Sequence, residues 1–422
     1  MTLSYLKPLD PETVCSRDRE AVSRATLVEA QVIVDAVREG GRFALLEYGR
    51  RFGDLGPDDR LVYARDDLEA ALRLLPADQR ELLERTAGRI ADFARAQREA
   101  LPDMDVAVPG GRAGWRFHPV ESAGCYAPGG RFPLPSSVLM TTVTARAAGV
   151  GRVVAVSPRP AEITLAAAAI GGADILVAAG GAQAVTALAH GVEGLSPCDV
   201  IVGPGNRYVT AAKQLLVGRV GIDMLAGPSE LVILADSTAE PDQVAADLLA
   251  QAEHDPDAIP ILVTTDPSLG SRVDTELGLQ LEDLPTADIA RYALGNGGVI
   301  TTDGLDKAIE VCDALAPEHL EVMTAEPDAV AERLRNYGAL FLGAGTAEVL
   351  GDYGAGPNHV LPTGGTARFS SPLSVLDFMV GRSWLKMERD GQADAVARDA
   401  IALARLEGLE GHARSASLRL GL

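Results

Sequence analysis

Six histidines occur in the 422 residues: His118, His190, His254, His319, His359 and His412. Four of them stand in polar, turn-rich or charged settings where an imidazole can bind a metal or move a proton. Gln251-Ala-Glu-His254 puts an amide and an imidazole three residues apart near a predicted helix C-terminus, hence on one face. The same spacing also suits an ordinary polar pair at an exposed helix end. Pro317-Glu318-His319-Leu320 sets a carboxylate beside an imidazole where a predicted helix gives way to a strand. Adjacent residues on an extended backbone point apart, so only a bent loop aims both into one cleft. General acid–base chemistry and a simple capping contact are both open to this pair. The glycine-rich stretch from Gly351 to His359 carries Asp352 and His359 with little apolar content. It reads as a functional loop, or as an Asp cap with a surface histidine. Glu407-Gly-Leu-Glu-Gly-His412 closes the last predicted helix, where a histidine can also just complement the helix dipole. Imidazole, carboxylate and amide oxygen together suit a borderline divalent ion such as Zn²⁺.

A second chemistry is suggested by Asp199-Val-Ile-Val-Gly-Pro-Gly-Asn206, a strand, a glycine turn and a helix start. Backbone N–H groups at such a turn favour phosphate. The third glycine of a dinucleotide fingerprint is absent, and no acid about 20 residues on completes a ribose site. The four cysteines, Cys15, Cys125, Cys198 and Cys312, have no CxxC spacing and read as reduced thiols. Cys125, beside Tyr126 in a glycine-rich stretch, is a candidate nucleophile without a flanking histidine; a small buried residue is the competing reading.

The elements that must hold these groups follow from periodicity. Apolar residues three and four apart in 21–37 and 82–93 predict a helical N-terminal region. Residues 108–135, punctuated by Pro109-Gly110-Gly111 and Pro128-Gly129-Gly130, read as a loop-rich join. From 153 to 216, and again from 231 to 342, short β-branched runs alternate with Ala-rich helical stretches, which specifies parallel strands with crossover helices. The expected fold is α/β: two incomplete Rossmann-like units with parallel sheets, the helical N-terminal region, and a small C-terminal helical appendage. The appendage has a strand or helix around 376–380 and a helix from about 394 to 406, and is too small to bury a core of its own.

Fifty-nine acids against thirty-eight bases give a net charge of −21, a field that disfavours nucleic acid and anionic membrane surfaces. No run of about 18 apolar residues and no signal peptide is present, so the cytoplasm is the expected compartment.

Eight blocks carry a resemblance to the histidinol dehydrogenase family: CYAPGGRFPLPSSVLM (125–140), GGAQAV (180–185), VGPGN (202–206), IDMLAGPSE (222–230), DLLAQAEHD (247–255), APEHLE (316–321), GDYGAGPNHVLPTGGTARFSSPLSVLDF (351–378) and EGLEGHA (407–413). The residues from 380 to 386, and Gly411, look less usual for that family. The resemblance implies a four-electron oxidation of L-histidinol through L-histidinal to L-histidine with two NAD⁺, closing histidine biosynthesis. It implies zinc held by Gln251, His254, Asp352 and His412. Substrate contacts are implied for Ser229, His359 and Glu407 and for the zinc and acid–base residues, with acid–base roles for Glu318 and His319. Tyr126, Gln183 and Asn206 match the family's NAD contacts. In that reading His319 takes the hydroxyl proton and Glu318 activates water for attack on the retained aldehyde.

The positions of these residues suggest an N-terminal segment 1–20 and a larger discontinuous domain, 21–125 with 230–373, carrying metal and catalytic groups. A nucleotide-binding insert at 126–229 faces it across the cleft. A tail, 374–422, is expected to serve dimerisation and complete the site in a homodimer. Three rival readings stand beside this one: a related zinc- and NAD-dependent dehydrogenase of another small polar alcohol, a zinc hydrolase without NAD, and a non-catalytic binding module. The last is disfavoured by the presence of both Glu318 and His319.

Overall fold

A computed structural model describes residues 5–16, 20–56, 60–129, 133–388 and 390–420. Parts of the expected N-terminal segment, and Gly130 in the second glycine pair, lie outside the described residues. The fold is α/β with two sheets, as the alternation of elements requires.

The helical beginning is an amphipathic pattern made solid. Ser23 accepts the Thr26 N–H and so caps the helix Arg24–Arg51. That helix buries Ala30, Ile33, Val34 and Val37, an i, i+3, i+4, i+7 stripe, before Gly41 (φ 55°) interrupts it. The stripe packs against Ala182, Val185 and Leu188 of the helix Gly181–His190 in one core, under the six-stranded sheet. That sheet runs in the order Val62–Ala64, Ile175–Val177, Arg152–Val156, Ser122–Tyr126, Val200–Val202, Gly221–Ile222. Only the first strand is antiparallel. Ser122–Tyr126 lies before the expected boundary except for its last residue, and Val62–Ala64 joins from far upstream, so this sheet is not drawn from 126–229 alone.

Ser122–Tyr126 has the next strand on one side and Val200–Val202 on the other, so the strand order reverses there while the strands stay parallel. Crevices at such a switch point, at the carboxyl ends of strands, are where open α/β sheets bind ligands. The two strand ends approach so closely here that a Cβ at Gly203 (φ 109°) meets the Tyr126 carbonyl oxygen at 1.9 Å. Glycine is therefore needed for contact as well as for torsion.

The turn after Val202 is pinned by a buried ion pair. Lys213 Nζ lies 2.7 Å from Asp223 Oδ1 and donates to the Gly203 carbonyl, while Asp223 Oδ2 accepts the Gly203 N–H at 2.7 Å. Lys213→Met leaves that carboxylate buried without its cation and is expected to cost about 3–5 kcal/mol of stability. Lys213→Met/Asp223→Leu is expected to recover most of it. Denaturant titration checks both, and equal losses in the two variants contradict the account.

The second sheet is wholly parallel, in the order Gly298–Thr301, Ile259–Thr264, Glu230–Ala235, His319–Met323, Ala339–Leu342. The strand Glu230–Ala235 is buried at every position, as a sheet covered on both faces demands. Both sheets belong to one compact unit, residues 1–96 and 120–378.

The second unit, 97–119 with 379–422, departs from expectation in its local structure. The stretch from 108 to 135 read as a loop-rich join contains the strand Gly111–Pro119, which pairs with Met104–Val108 just before it in a hairpin turning at Pro109-Gly110. Gly110 takes φ 73° there. Met379–Met387 pairs antiparallel with Gly111–Pro119 along its whole length, followed by the helices Gly391–Leu406 and Glu410–Ser417. The appendage thus gains its sheet partners from residues 97–119.

Candidate active site

The catalytic candidates of the first unit gather at the amino ends of the second sheet's strands. His319 is the first residue of its strand and pairs in register with Leu231, one residue beyond Glu230. Its Nδ1 lies 3.1 Å from the Glu230 carbonyl oxygen. A carbonyl only accepts, so Nδ1 carries the proton and Nε2 is left for proton transfer. Nε2 is buried and has no hydrogen-bond partner among the described residues. Glu318 lies alongside, its Oε2 accepting the Glu230 N–H at 2.9 Å and standing 3.7 Å from His319 Nδ1. One backbone unit, that of Glu230, therefore orients both members of the pair. The bent loop needed to aim two adjacent side chains into one place is present at 317–318: Ala316 just before it takes a left-handed φ of 45°.

Asp352, at the end of the short helix Glu348–Asp352, reaches both imidazoles. Its Oδ2 is 3.6 Å from His254 Nε2 and its Oδ1 is 3.5 Å from His319 Nε2. Burial opposes ionisation of this carboxyl, but the facing imidazoles outweigh it and hold it well below the usual carboxylate range. His254, just past the helix Pro241–Ala252, is raised by the same contact. At His319 burial favours the neutral ring, yet Glu318, Glu348 and Asp352 together hold it well above the ordinary imidazole value. Burial pushes Glu318 up, which makes it a stronger base than an exposed glutamate.

Gln251 in the last turn of Pro241–Ala252 is wholly buried, and neither its amide oxygen nor its nitrogen has a hydrogen-bond partner among the described residues. An unpaired buried amide costs about 1–3 kcal/mol. Such a group beside His254 and Asp352 has the donor chemistry to hold a cation, and coordination offsets that cost. Among the described residues no three His, Cys, Asp or Glu side chains form a metal-binding group. The donors of this unit are two such residues and an amide.

The remaining predicted residues fall as follows. His359 is oriented through Nδ1 by the Asp352 carbonyl at 2.8 Å, with Nε2 3.3 Å from Ser137 Oγ. Ser229 directly precedes the strand Glu230–Ala235, and its carbonyl accepts the Ile259 N–H at 3.0 Å. Glu407 and His412 belong to the second compact unit, at the C-cap of Gly391–Leu406 and within Glu410–Ser417; both are exposed. Cys125 lies mid-strand, 1% exposed, and burial drives its thiol far above the ordinary range. It is a packed core residue and not a nucleophile.

Sequence reasoning missed Glu348, buried among the catalytic candidates with Oε2 3.7 Å from His319 Nδ1 and pushed up to about 8 by burial. It also missed Glu321, whose Oε1 accepts the Glu348 N–H at 2.6 Å, and the buried Asp247; burial raises both. One signal was available: an acid inside His319–Met323, a strand otherwise free to be apolar on both faces.

At the carboxyl ends of the first sheet, a pocket of about 650 Å³ is lined by Gln183, Asn206, Tyr208, Gly181 and Arg51, among others. Asn206 caps the helix Arg207–Leu216 through its side chain, accepting the Tyr208 and Val209 N–H groups at 3.0 and 3.2 Å. Tyr126 is buried, and its hydroxyl accepts the Gly181 N–H at 3.1 Å.

Residues 16–420 match the family model described as histidinol dehydrogenase. The histidinol dehydrogenase of Bradyrhizobium diazoefficiens is 47% identical over 415 residues, covering 96% of this chain and 94% of the relative. That of Rhodopseudomonas palustris is 46% identical over 411 residues, covering 96% and 93%. Among solved structures, the crystal structure of histidinol dehydrogenase from Elizabethkingia anophelis superposes with a TM-score of 0.92 at 30% identity, over 100% of this chain and 99% of that one.

Proposed function

We infer the reaction from one premise: this chain belongs to the histidinol dehydrogenase family, and it is an NAD-dependent oxidoreductase of histidine biosynthesis. We propose that it oxidises L-histidinol by four electrons, through L-histidinal to L-histidine, in a single site. The observation that carries this reading is the buried cluster of Glu318, His319 and Asp352, with both base candidates fixed on Glu230.

In the first step the neutral His319 ring accepts the carbinol proton at Nε2 as the hydride leaves carbon, and the surrounding carboxylates stabilise the imidazolium so formed; a cation at Asp352 would offset part of their field and so favour the neutral ring beforehand. Glu318 then takes a proton from the water that adds to the aldehyde carbon, giving the hydrate. His319 serves the hydrate's hydroxyl in the second oxidation. Tyr126, Gln183 and Asn206 are the residues assigned to hold NAD⁺, which would supply the hydride acceptor for each oxidation. Gln251, His254 and Asp352 would hold Zn²⁺, completed by His412. When bound, the metal would supply Lewis-acid charge to the substrate's amine and imidazole nitrogens. Ser229, His359 and Glu407 are assigned to the rest of the substrate. Holding the reactive amino aldehyde in place accounts for the use of one site for both steps.

The assembly proposed is a homodimer in which Glu407 and His412 come from a second copy, with the cytoplasm as the compartment of a biosynthetic reaction. Two measurements test these assignments. Two NADH per histidinol consumed is expected; one indicates an enzyme that stops at the aldehyde, and none favours a zinc hydrolase. His412→Ala and His254→Ala, each inactive alone, are expected to regain activity when dissociated and mixed, since one site per heterodimer then has every donor. Demonstrated subunit exchange without recovery places the tail in its own subunit's site.

A further inference from the structure

The pocket at the carboxyl ends of the first sheet, lined by Gln183 and Asn206 of the residues assigned above to NAD⁺, contains an acid that neither the motifs nor the fold had singled out. Asp54 follows the end of the helix Arg24–Arg51 by three residues and lines that pocket together with Gln183 and Arg159. A single oxygen of Asp54, Oδ2, accepts two donors from a segment more than a hundred residues away: the Gly180 N–H at 3.1 Å and the Gln183 Nε2 at 2.9 Å. Gly180 is the N-cap of the helix Gly181–His190, so the carboxylate also sits where the helix dipole favours negative charge.

The consequence lies at the other end of the Gln183 side chain. A carboxamide offers an oxygen and an NH₂ of nearly equal size, and nothing in its shape says which way round it stands. A carboxylate only accepts, so Asp54 must face the NH₂, and Oε1 must point the other way. Gln183 is 1% exposed, and Oε1 has no hydrogen-bond partner among the described residues. A buried acceptor left unpaired costs free energy that only a donor can offset. Capping the helix does not require that arrangement, since the Gly180 N–H alone would satisfy a cap.

We propose that Asp54 is a positioning residue for the dinucleotide: it locks the Gln183 carboxamide so that Oε1 is presented to an N–H donor of the ligand. The inference rests on the assignment of Gln183 to NAD⁺ made above. NAD⁺ has two such donors, the nicotinamide carboxamide and the exocyclic amine of adenine. Arg159, held at a left-handed φ of 47° on the same pocket wall, keeps a positive charge near Asp54 and the site of an anionic ligand.

The test is a double-mutant cycle on NAD⁺ affinity, read by calorimetry with NAD⁺ alone and by KM for NAD⁺ at saturating histidinol. Gln183→Ala and Asp54→Ala are each expected to weaken NAD⁺ about tenfold, the loss of one hydrogen bond to a desolvated partner. Asp54→Ala/Gln183→Ala is expected to be no weaker than Gln183→Ala, because Asp54 acts through the amide. Asp54→Asn retains one oxygen for both donors and is expected to stay within about threefold of the parent protein. In the three alanine variants, the two single and the double, KM for NAD⁺ is expected to rise far more than kcat falls. If the Asp54→Ala loss persists in full on top of Gln183→Ala, or if Asp54→Ala has no effect while Gln183→Ala does, Asp54 is a helix cap only and the proposal is overturned. If Gln183→Ala itself leaves NAD⁺ binding unchanged, the assignment of the pocket falls first and takes the proposal with it.

Should Asp54→Ala fail to fold, Asp54→Glu carries the same cycle, because it keeps a carboxylate near the helix end while moving it past the amide. The parent protein supplies a check that needs no Asp54 variant. The 3-acetylpyridine analogue lacks the carboxamide N–H and the hypoxanthine analogue lacks the adenine amine. One of them is expected to bind about tenfold more weakly than NAD⁺ to the parent protein and equally well to Gln183→Ala. Loss with neither analogue means that Oε1 has no N–H partner in the ligand, which also overturns the proposal.

Discussion

His319→Ala is expected to slow both oxidations by about 10²–10⁴-fold, the usual contribution of a positioned general base. Glu318→Gln is expected to do comparable damage to the oxidation of histidinal while sparing the oxidation of histidinol to within about tenfold. The asymmetry follows from the assigned proton transfers. His319 Nε2 is the free ring nitrogen because the Glu230 carbonyl occupies Nδ1–H, and every hydride leaves from a carbon whose hydroxyl that nitrogen must serve. Glu318 meets only the added water. Glutamine keeps the shape of Glu318 and its acceptor oxygen for the Glu230 N–H, so the position of His319 is preserved while the base is removed. Single-turnover kinetics started from histidinol and from histidinal separate the two steps. Equal losses in both half-reactions for Glu318→Gln refute the division of labour, and a His319→Ala enzyme within tenfold of the parent removes His319 from the chemistry.

The second large effect is expected at Asp352. Asp352→Ala and His254→Ala should each leave the dialysed protein with less than about a tenth of the zinc that the parent retains, with turnover lost in parallel. Removing a supporting partner alone costs a metal site about 10–100-fold in affinity, and removing a donor costs at least that. Chelation of the parent protein should abolish turnover and added Zn²⁺ should restore it. Asp352 is well suited to this role because the charge state that a cation needs is already in place: two imidazoles hold it ionised despite burial. The metal content, measured by atomic emission, is independent of any assay of activity. Full zinc occupancy in both variants removes these residues from the ligand set.

Much of the architecture is written locally. The stripe Ala30, Ile33, Val34 and Val37 announces its helix, and the β-branched runs at 153–156, 200–202 and 231–234 announce buried parallel strands, since their periodicity and length leave little choice. The strands Met104–Val108 and Gly111–Pro119 were not legible in the same way. Met104, Asp105, Val106 and Ala107 are all exposed, so no face of that strand carries an apolar alternation, and Pro109-Gly110 reads as a loop. Met379–Met387 is likewise mostly exposed. Ribbons that bury little write little pattern.

The site divides along the same line. The residue types at Gln251, His254, Glu318, His319, Asp352 and His359, and their clustering in polar or glycine-rich segments, are properties of the chain itself, and so is the glycine turn before Asn206. Which ring nitrogen of His319 is free depends on Glu230, 89 residues away, and which end of the Gln183 amide is left unpaired among the described residues depends on Asp54, 129 residues away. That Glu348 stands beside His319, and that the Cys125 thiol is held far above its ordinary range, follows from burial at positions where a single acid or thiol has no distinguishing neighbour in sequence. A side chain's composition is local, but its protonation and hydrogen-bonding direction are set by the dipoles and charges that face it and by the water excluded around it. Those come from segments that only the folded chain brings together.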